Sequence, residues 1–225
     1  DSLMRTVPGV EVVAACDVYE LQAQQARERL APTATVHKDF RHVLDRNDID
    51  AVLIATPDHW HAIPTVLACR AGKDVYVEKP DAHNAIEGQR MVAAARQYRR
   101  VIQLGTQSRS GQYFQNMIDY IHEGHLGRAL FAKAWESTKQ RSIGNPPDGE
   151  PPQGVDYDMW LGPAPLRPFN PMRFHGNWRW FFDYGAGDLG NDGVHRLDLA
   201  HWAFGAAVRA NGEPPLGSLQ AVSAH

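Results

Sequence analysis

The 225-residue sequence is poor in cysteine, in long apolar runs and in excess charge of one sign. Its two cysteines, Cys16 and Cys69, both lie in apolar stretches, which argues against a disulfide framework and leaves the compartment open. No apolar run approaches the roughly 18 residues of a membrane span, so no membrane partner is expected. Lys and Arg number 23 against 26 Asp and Glu, a net charge of −3, whereas a nucleic-acid partner needs a basic surface. Internal repeats and low-complexity tracts are missing too. What is present is globular: 43% hydrophobic and 22% charged residues, enough for one or two domains with real cores.

Strand and helix patterns alternate about every 25 residues in the first half. Val10–Asp17 and Ala51–Thr56 read as buried parallel strands, and Val75–Val77 and Val101–Leu104 as two more. A weak strand is expected at Thr35–Lys38. Helical segments fall at Glu20–Leu30, Phe40–Arg46, Ile63–Ala71 and Ala85–Tyr98. This is the pattern of a doubly wound parallel sheet. In such a sheet the carboxyl ends of the strands face the ligand crevice. Asp17, Thr56 to His61, and Glu78-Lys79-Pro80 all stand at those ends.

An acid in the position of Asp17 accepts hydrogen bonds from an adenosine ribose and repels a 2′-phosphate. The alternative is a helix cap or a surface acid. The glycine-rich loop that precedes such an acid by about 20 residues does not occur, since Gly9 is the single glycine before Asp17. Without the strand before that loop, Val10–Cys16 and Ala51–Thr56 have no common neighbour. The sequence also begins with Asp1, and Leu219–His225 reads as a strand just begun. We expect a segment truncated at both ends, of low stability and weak NAD binding. His59 and His61, or His195, Asp198 and His201, suggest a metal only weakly, and none is expected.

The second half changes character. A helix is expected at Tyr113–Glu123, an antiparallel strand at Ala129–Ser137, and a helix at Gly193–Gly205. Between them, eight of the 15 prolines fall within Pro146–Pro171 and nine of the 21 aromatic residues within Tyr157–Tyr184. So long an irregular stretch is functional or disordered, and its aromatic density favours function. Arg173, His175 and Trp178 mix planar donors with ring faces, as sugar sites do. A core aromatic cluster is the alternative.

The run Ala55 to Pro80, ATPDHWHAIPTVLACRAGKDVYVEKP, resembles the Gfo/Idh/MocA oxidoreductases, as do VIQLGTQ (Val101–Gln107) and Gly185–Trp202. Asp156–Tyr184 resembles the carbohydrate-active branch of that family. The resemblance implies a Rossmann-like doubly wound sheet lacking its first strand over 1–108. An incomplete α+β domain with an open antiparallel sheet follows over 109–225. It implies NAD as cofactor rather than NADP, held by Asp17, Thr56, Pro57, His61, Glu78, Lys79 and Gln107, with the bond before Pro80 often cis. Lys79 matches a lysine beside the nicotinamide, and His195 the histidine of an Asp-x-x-x-His pair. Asn191 stands where that pair has its Asp, which weakens a carboxylate relay. The catalytic set is thus Lys79, His195 and Asn191, and the substrate set Arg173, His175, Trp178 and the neighbouring Asp192. Asp81-Ala82-His83 departs from the usual Leu-Ser after the Lys-Pro pair.

The implied reaction is hydride transfer between NAD and a secondary hydroxyl of a sugar, glycoside or cyclitol. His195 is the expected base with Lys79 as orienting donor; the reverse assignment is the alternative. Two other readings stand beside it: a glycosidase using NAD for transient oxidation and elimination, and a non-catalytic binding relative or inactive fragment. A homo-oligomer through the second-domain sheet is expected. The compartment, cytoplasmic or exported, is open.

Overall fold

The computed structural model describes residues 7–135 and 141–212. They form two compact units. The first joins Asp1–Gly105 with Arg141–Gly187, the second Thr106–Gln140 with Asp188–His225. The first unit is therefore discontinuous, unlike two domains meeting at a single boundary at 108/109: residues 141–187 pack with the first half of the chain.

In the first unit, β1 (Ala14–Cys16) pairs in parallel with β2 (Thr35–His37). A second parallel sheet has the order β3 (Ala51–Ile54), β4 (Asp74–Val77), β5 (Ile102–Leu104). The helices are α1 (Glu20–Leu30), α2 (Phe40–Leu44), α3 (Ala62–Arg70) and α4 (Ala85–Tyr98). Asp39 caps α2 by accepting the Arg41 amide at 2.9 Å, and Asn84 caps α4 through the Glu87 amide at 3.1 Å, the usual use of such side chains. Ile54, Val75 and Val77 pack against Ala62, Ala68 and Cys69 of α3 and against Met91 and Ala94 of α4. Each buried aliphatic side chain here contributes about 2 kcal/mol.

Two expectations are corrected. The strand expected over Val10–Asp17 shrinks to three residues, and β3 is not buried throughout, since Leu53 is 52% exposed. Both strands are sheet edges, and among the described residues no strand joins the two sheets. An apolar run stays buried and extended only where a neighbour covers and pairs with it. The sheets are instead linked through side chains. Arg46 donates to the Val13 carbonyl at 3.1 Å, and the buried Lys73 donates to the carbonyls of Arg46 and Ile49.

Residues 141–187 form a strap on this unit. They carry one short helix, α5 (Tyr157–Leu161). Trp160, Leu161, Phe169, Phe174, Trp178 and Tyr184 build its own core, onto which Val18 packs. Backbone bonds tie it to the start of α1: the Asp156 amide donates to Val18 O at 2.9 Å, and Glu20 N to Gly154 O at 3.1 Å.

The second unit pairs α6 (Gln112–His122) with α7 (Val194–Ala210). Ile118, Ile121, Ala206 and Ala207 are its core. The helix expected to stop at Gly205 runs on to Ala210, because Ala206 and Ala207 fill that core. A π-turn, Leu189–Gly193, leads into α7. The strand expected at Ala129–Ser137 is not formed over its described part, 129–135. Leu130, Phe131 and Trp135 are exposed there, with no partner strand among the described residues. The open antiparallel sheet is thus not seen in them. Positions 136–137 and the strand expected at Leu219–His225 lie outside the described residues.

Candidate active site

The carboxyl ends of the first unit's strands carry the expected residues. At the end of β1, Asp17 accepts the Tyr19 amide through one oxygen at 2.8 Å. This is a local turn bond two residues along the chain, and it leaves the second oxygen as an acceptor. Burial pushes the Asp17 carboxyl up; the Tyr19 amide and the charge of His175 oppose it.

After β3, Thr56 and Pro57 lead into a 3-10 turn, Asp58–Trp60. Its histidines are fully engaged. The His61 ring, 1% exposed, lies between the carbonyls of Pro80 and Thr56, the latter at 2.8 Å. His59 lies between those of Tyr184 and Trp160, at 3.3 and 3.0 Å. Among the described residues no His, Cys, Asp and Glu group could hold a metal. Asp58, 3% exposed, accepts the Ala186 amide at 3.2 Å. Burial raises its carboxyl, against His61, the Ala186 amide, Arg179 and Lys79.

After β4, Glu78 accepts the Lys79 amide at 3.2 Å, and the Lys79–Pro80 bond is cis, as the resemblance implied. Gly105 closes β5. A Cβ there would stand 3.0 Å from a Glu78 carboxylate oxygen, so glycine is what lets the Glu78 side chain lie against this strand end. The turn around Lys79, with Asp58 in electrostatic reach, is polar, partly buried and held by backbone bonds on both sides.

The expected substrate set falls on both units, three residues on the first and Asp192 on the second. Trp178 is buried in the strap's aromatic core with the Arg179 guanidinium over its ring at 4.4 Å, the packing alternative considered for it. Arg173 is taken up by Asp148 at 2.9 Å and by Pro168 O at 2.7 Å. His175 lies beside Tyr19, ring centroids 5.9 Å apart. Asp192 and Asn191 belong to the π-turn of the second unit, with His195 in the first turn of α7. Gln107 opens a 3-10 turn, Gln107–Ser110, in that unit.

Four participants carried no strong sequence signal. Asp58 lay inside a recognised motif, but its acceptor role toward Ala186 spans 128 residues. His59 and Tyr19 act through backbone and ring contacts with the strap. Arg109 grips Asp198 with two bonds of 2.7 Å and lies over Trp202 at 4.9 Å; nothing near it in sequence marks that partnership.

Parallel strands with helices between them and polar groups at their carboxyl ends define an α/β protein whose ligands bind at those ends. Residues 1–106 match the family model described as "Oxidoreductase family, NAD-binding Rossmann fold", and residues 135–210 match the same family's "C-terminal alpha/beta domain". The chain belongs to the Gfo/Idh/MocA oxidoreductase family. It is similar to inositol 2-dehydrogenase of Salmonella typhimurium, 33% identical over 129 residues that cover 57% of this chain and 38% of the relative. Inositol 2-dehydrogenase 2 of Saccharopolyspora erythraea is 33% identical over 169 residues, 71% and 48% of the two chains. The crystal structure of an oxidoreductase domain protein from Kribbella flavida superposes with a TM-score of 0.63 at 25% identity, covering 87% of this chain and 46% of that one. The chain thus spans about half the length of such relatives, or less. Among the described residues no helix is long and apolar enough to cross a membrane.

Proposed function

We propose that this chain contributes the cofactor crevice and part of the substrate side of an NAD-dependent dehydrogenase. Its substrate is a secondary hydroxyl of a cyclitol, sugar or glycoside. The observation that carries this reading is the gathering of Asp17, the Asp58–His61 turn and Glu78-Lys79-cis-Pro80 at the carboxyl ends of parallel strands. The residues fit the outer parts of a dinucleotide. Asp17 keeps an oxygen for a ribose hydroxyl, and Lys79 emerges from a turn fixed by Glu78 and by the His61–Pro80 contact. The inositol dehydrogenases among its relatives support a cyclitol or sugar as substrate.

NAD supplies the hydride acceptor when bound. Lys79 donates to the substrate hydroxyl oxygen and orients it, and His195 takes the hydroxyl proton. Asn191, four residues before His195, hydrogen-bonds but cannot share a carboxylate charge, so the imidazole works without an anionic partner at that position. Taken by itself, a carboxylate at Asp17 favours NAD over a 2′-phosphorylated cofactor. A homo-oligomer through the second domain completes the reading.

The test is an assay of the protein carrying this chain with NAD and myo-inositol, glucose and methyl glucosides, following NADH absorbance and reducing sugar together. NADH accumulation with one of these, lowered about a hundredfold or more by Lys79→Met while NAD affinity stays within a few-fold, supports the dehydrogenase. Reducing sugar released without NADH overturns it in favour of elimination chemistry. Neither signal overturns it in favour of a binding protein.

A further inference from the structure

The strap brings an imidazole to the acid at the end of β1. Phe174 is buried in the strap's core, and His175 follows it with φ +43, then Gly176 with φ +92. Two successive left-handed residues turn the chain outward, and the Gly176 carbonyl is held by Arg179 at 3.1 Å. A non-glycine residue in that region costs about 1 kcal/mol or more and persists only where its surroundings fix it. The turn leaves His175 exposed, with its ring against Tyr19 and within electrostatic reach of Asp17. Tyr19 is itself bridged to Val155 of the strap. The acid, the phenol and the imidazole thus form one cluster from two distant stretches of chain. Lys38, the cation that follows β2, is already paired with Glu20 at 3.2 Å.

We propose that His175 is a specificity-determining residue for the adenosine half of the cofactor: a donor from the strap that offsets Asp17 and lets the site accept a 2′-phosphate. This rests on the reading of Asp17 as the ribose-binding acid. A carboxylate alone favours the ribose diol by accepting from both hydroxyls and repelling a phosphate. An imidazole beside that acid supplies a hydrogen bond to phosphate oxygen, strongest in its cationic form. The strap therefore sets cofactor preference as well as packing.

The experiment measures binding of 5′-AMP and of adenosine 2′,5′-bisphosphate to the protein carrying this chain by ligand-observed NMR at fixed ionic strength. Melting temperatures are measured alongside. The unsubstituted chain is expected to bind the two with dissociation constants within about threefold. His175→Asn keeps a residue that tolerates left-handed backbone. It is expected to weaken the bisphosphate about tenfold, the value of one charge-assisted hydrogen bond, and to leave 5′-AMP within twofold at an unchanged melting temperature. His175→Arg is expected to restore or strengthen the bisphosphate. An equal loss of both ligands, or no change in their ratio with either variant, overturns the proposal while leaving Asp17 in its role. If the cooperatively melting protein binds neither ligand, the cofactor reading of this edge fails, and the proposal with it.

Discussion

The imidazole of His59 is held between two carbonyls of the strap, 3.3 Å from Tyr184 O and 3.0 Å from Trp160 O. Trp60 donates its indole N–H to the same Trp160 carbonyl at 2.9 Å, and the Tyr184 carbonyl also receives the His59 amide at 3.2 Å. One turn at the end of β3 therefore anchors the strap at points 24 residues apart, Trp160 and Tyr184. A residue of the crevice and the stability of the strap are thus a single feature.

His59→Ala removes a buried ring, its packing against Trp160 and Tyr184 and its contacts to their carbonyls, so it is expected to destabilise the chain by about 2–3 kcal/mol, read by urea denaturation. The pH dependence follows from burial, which holds the His59 imidazole below the ordinary histidine range; the two carbonyls oppose this only in part. The unfolded chain then binds the proton more readily than the folded one. Stability is fully present above the unfolded histidine value, near 6.5, and is lost as pH falls below it. In His59→Gln that acid-side loss is expected to shrink. An unchanged acid limb overturns the assignment.

Gly162 is the next test of the same contact. Its φ is +48, and a Cβ there would lie 2.0 Å from Cζ2 of Trp60. Trp60 cannot simply withdraw, because it also packs edge-on against Phe40 at 5.8 Å. Gly162→Ala is expected to cost about 3 kcal/mol or more and to lower the melting temperature by several degrees. A paired Trp60→Ala change opens the space, so the double variant is expected to lose less than the sum of the single losses.

Much of the first unit was legible because parallel strands and their helices are written locally. Ile54, Val75 and Val77 sit in apolar runs stopped by Pro57 and Pro80, and Gly72 ends α3 in the left-handed region. Strand length was less legible: Val10 to Val13 read as strand but do not extend β1, since pairing depends on a neighbour and not on the run itself. The aromatic density of 157–184 marked the segment as ordered and left a sugar site and a core cluster both open; it did not show that its members pack beside Val18. Within it Trp178 reads the same whether it faces a sugar or the interior. The strap's anchors are backbone carbonyls, which every residue carries, so no residue type marks them in advance.

The Arg109–Asp198 pair illustrates the same limit in the second unit. Its two 2.7 Å bonds tie the 3-10 turn that begins at Gln107 to α7, the helix that carries His195. Arg109 is partly exposed, so Asp198→Asn is expected to cost only about 1 kcal/mol. The geometry matters more than the charge. Arg109→Lys keeps the charge but loses both the fork and the contact over Trp202, and is expected to destabilise about as much as Arg109→Ala. Denaturation followed by tryptophan fluorescence checks this; full retention of stability in the lysine variant would mean the pair acts as a simple point charge.

Asn191 gives the sharpest chemical prediction. It stands in the π-turn that leads into α7, four residues before His195, and a π-turn inside a helix is a frequent mark of a functional site. An amide there can orient an imidazole but adds no negative charge to stabilise the imidazolium that forms if His195 is the base proposed above. Asn191→Asp supplies that charge and favours the protonated ring. The acid limb of the pH–rate profile is therefore expected to move to higher pH, because the base is occupied by a proton over a wider range. Above that limb turnover is expected to rise several-fold, since a stronger base takes the hydroxyl proton more readily. His195→Ala in the same background is expected to erase both effects. If the profile of Asn191→Asp matches that of the unsubstituted protein, His195 is not the base, and Lys79 takes that role.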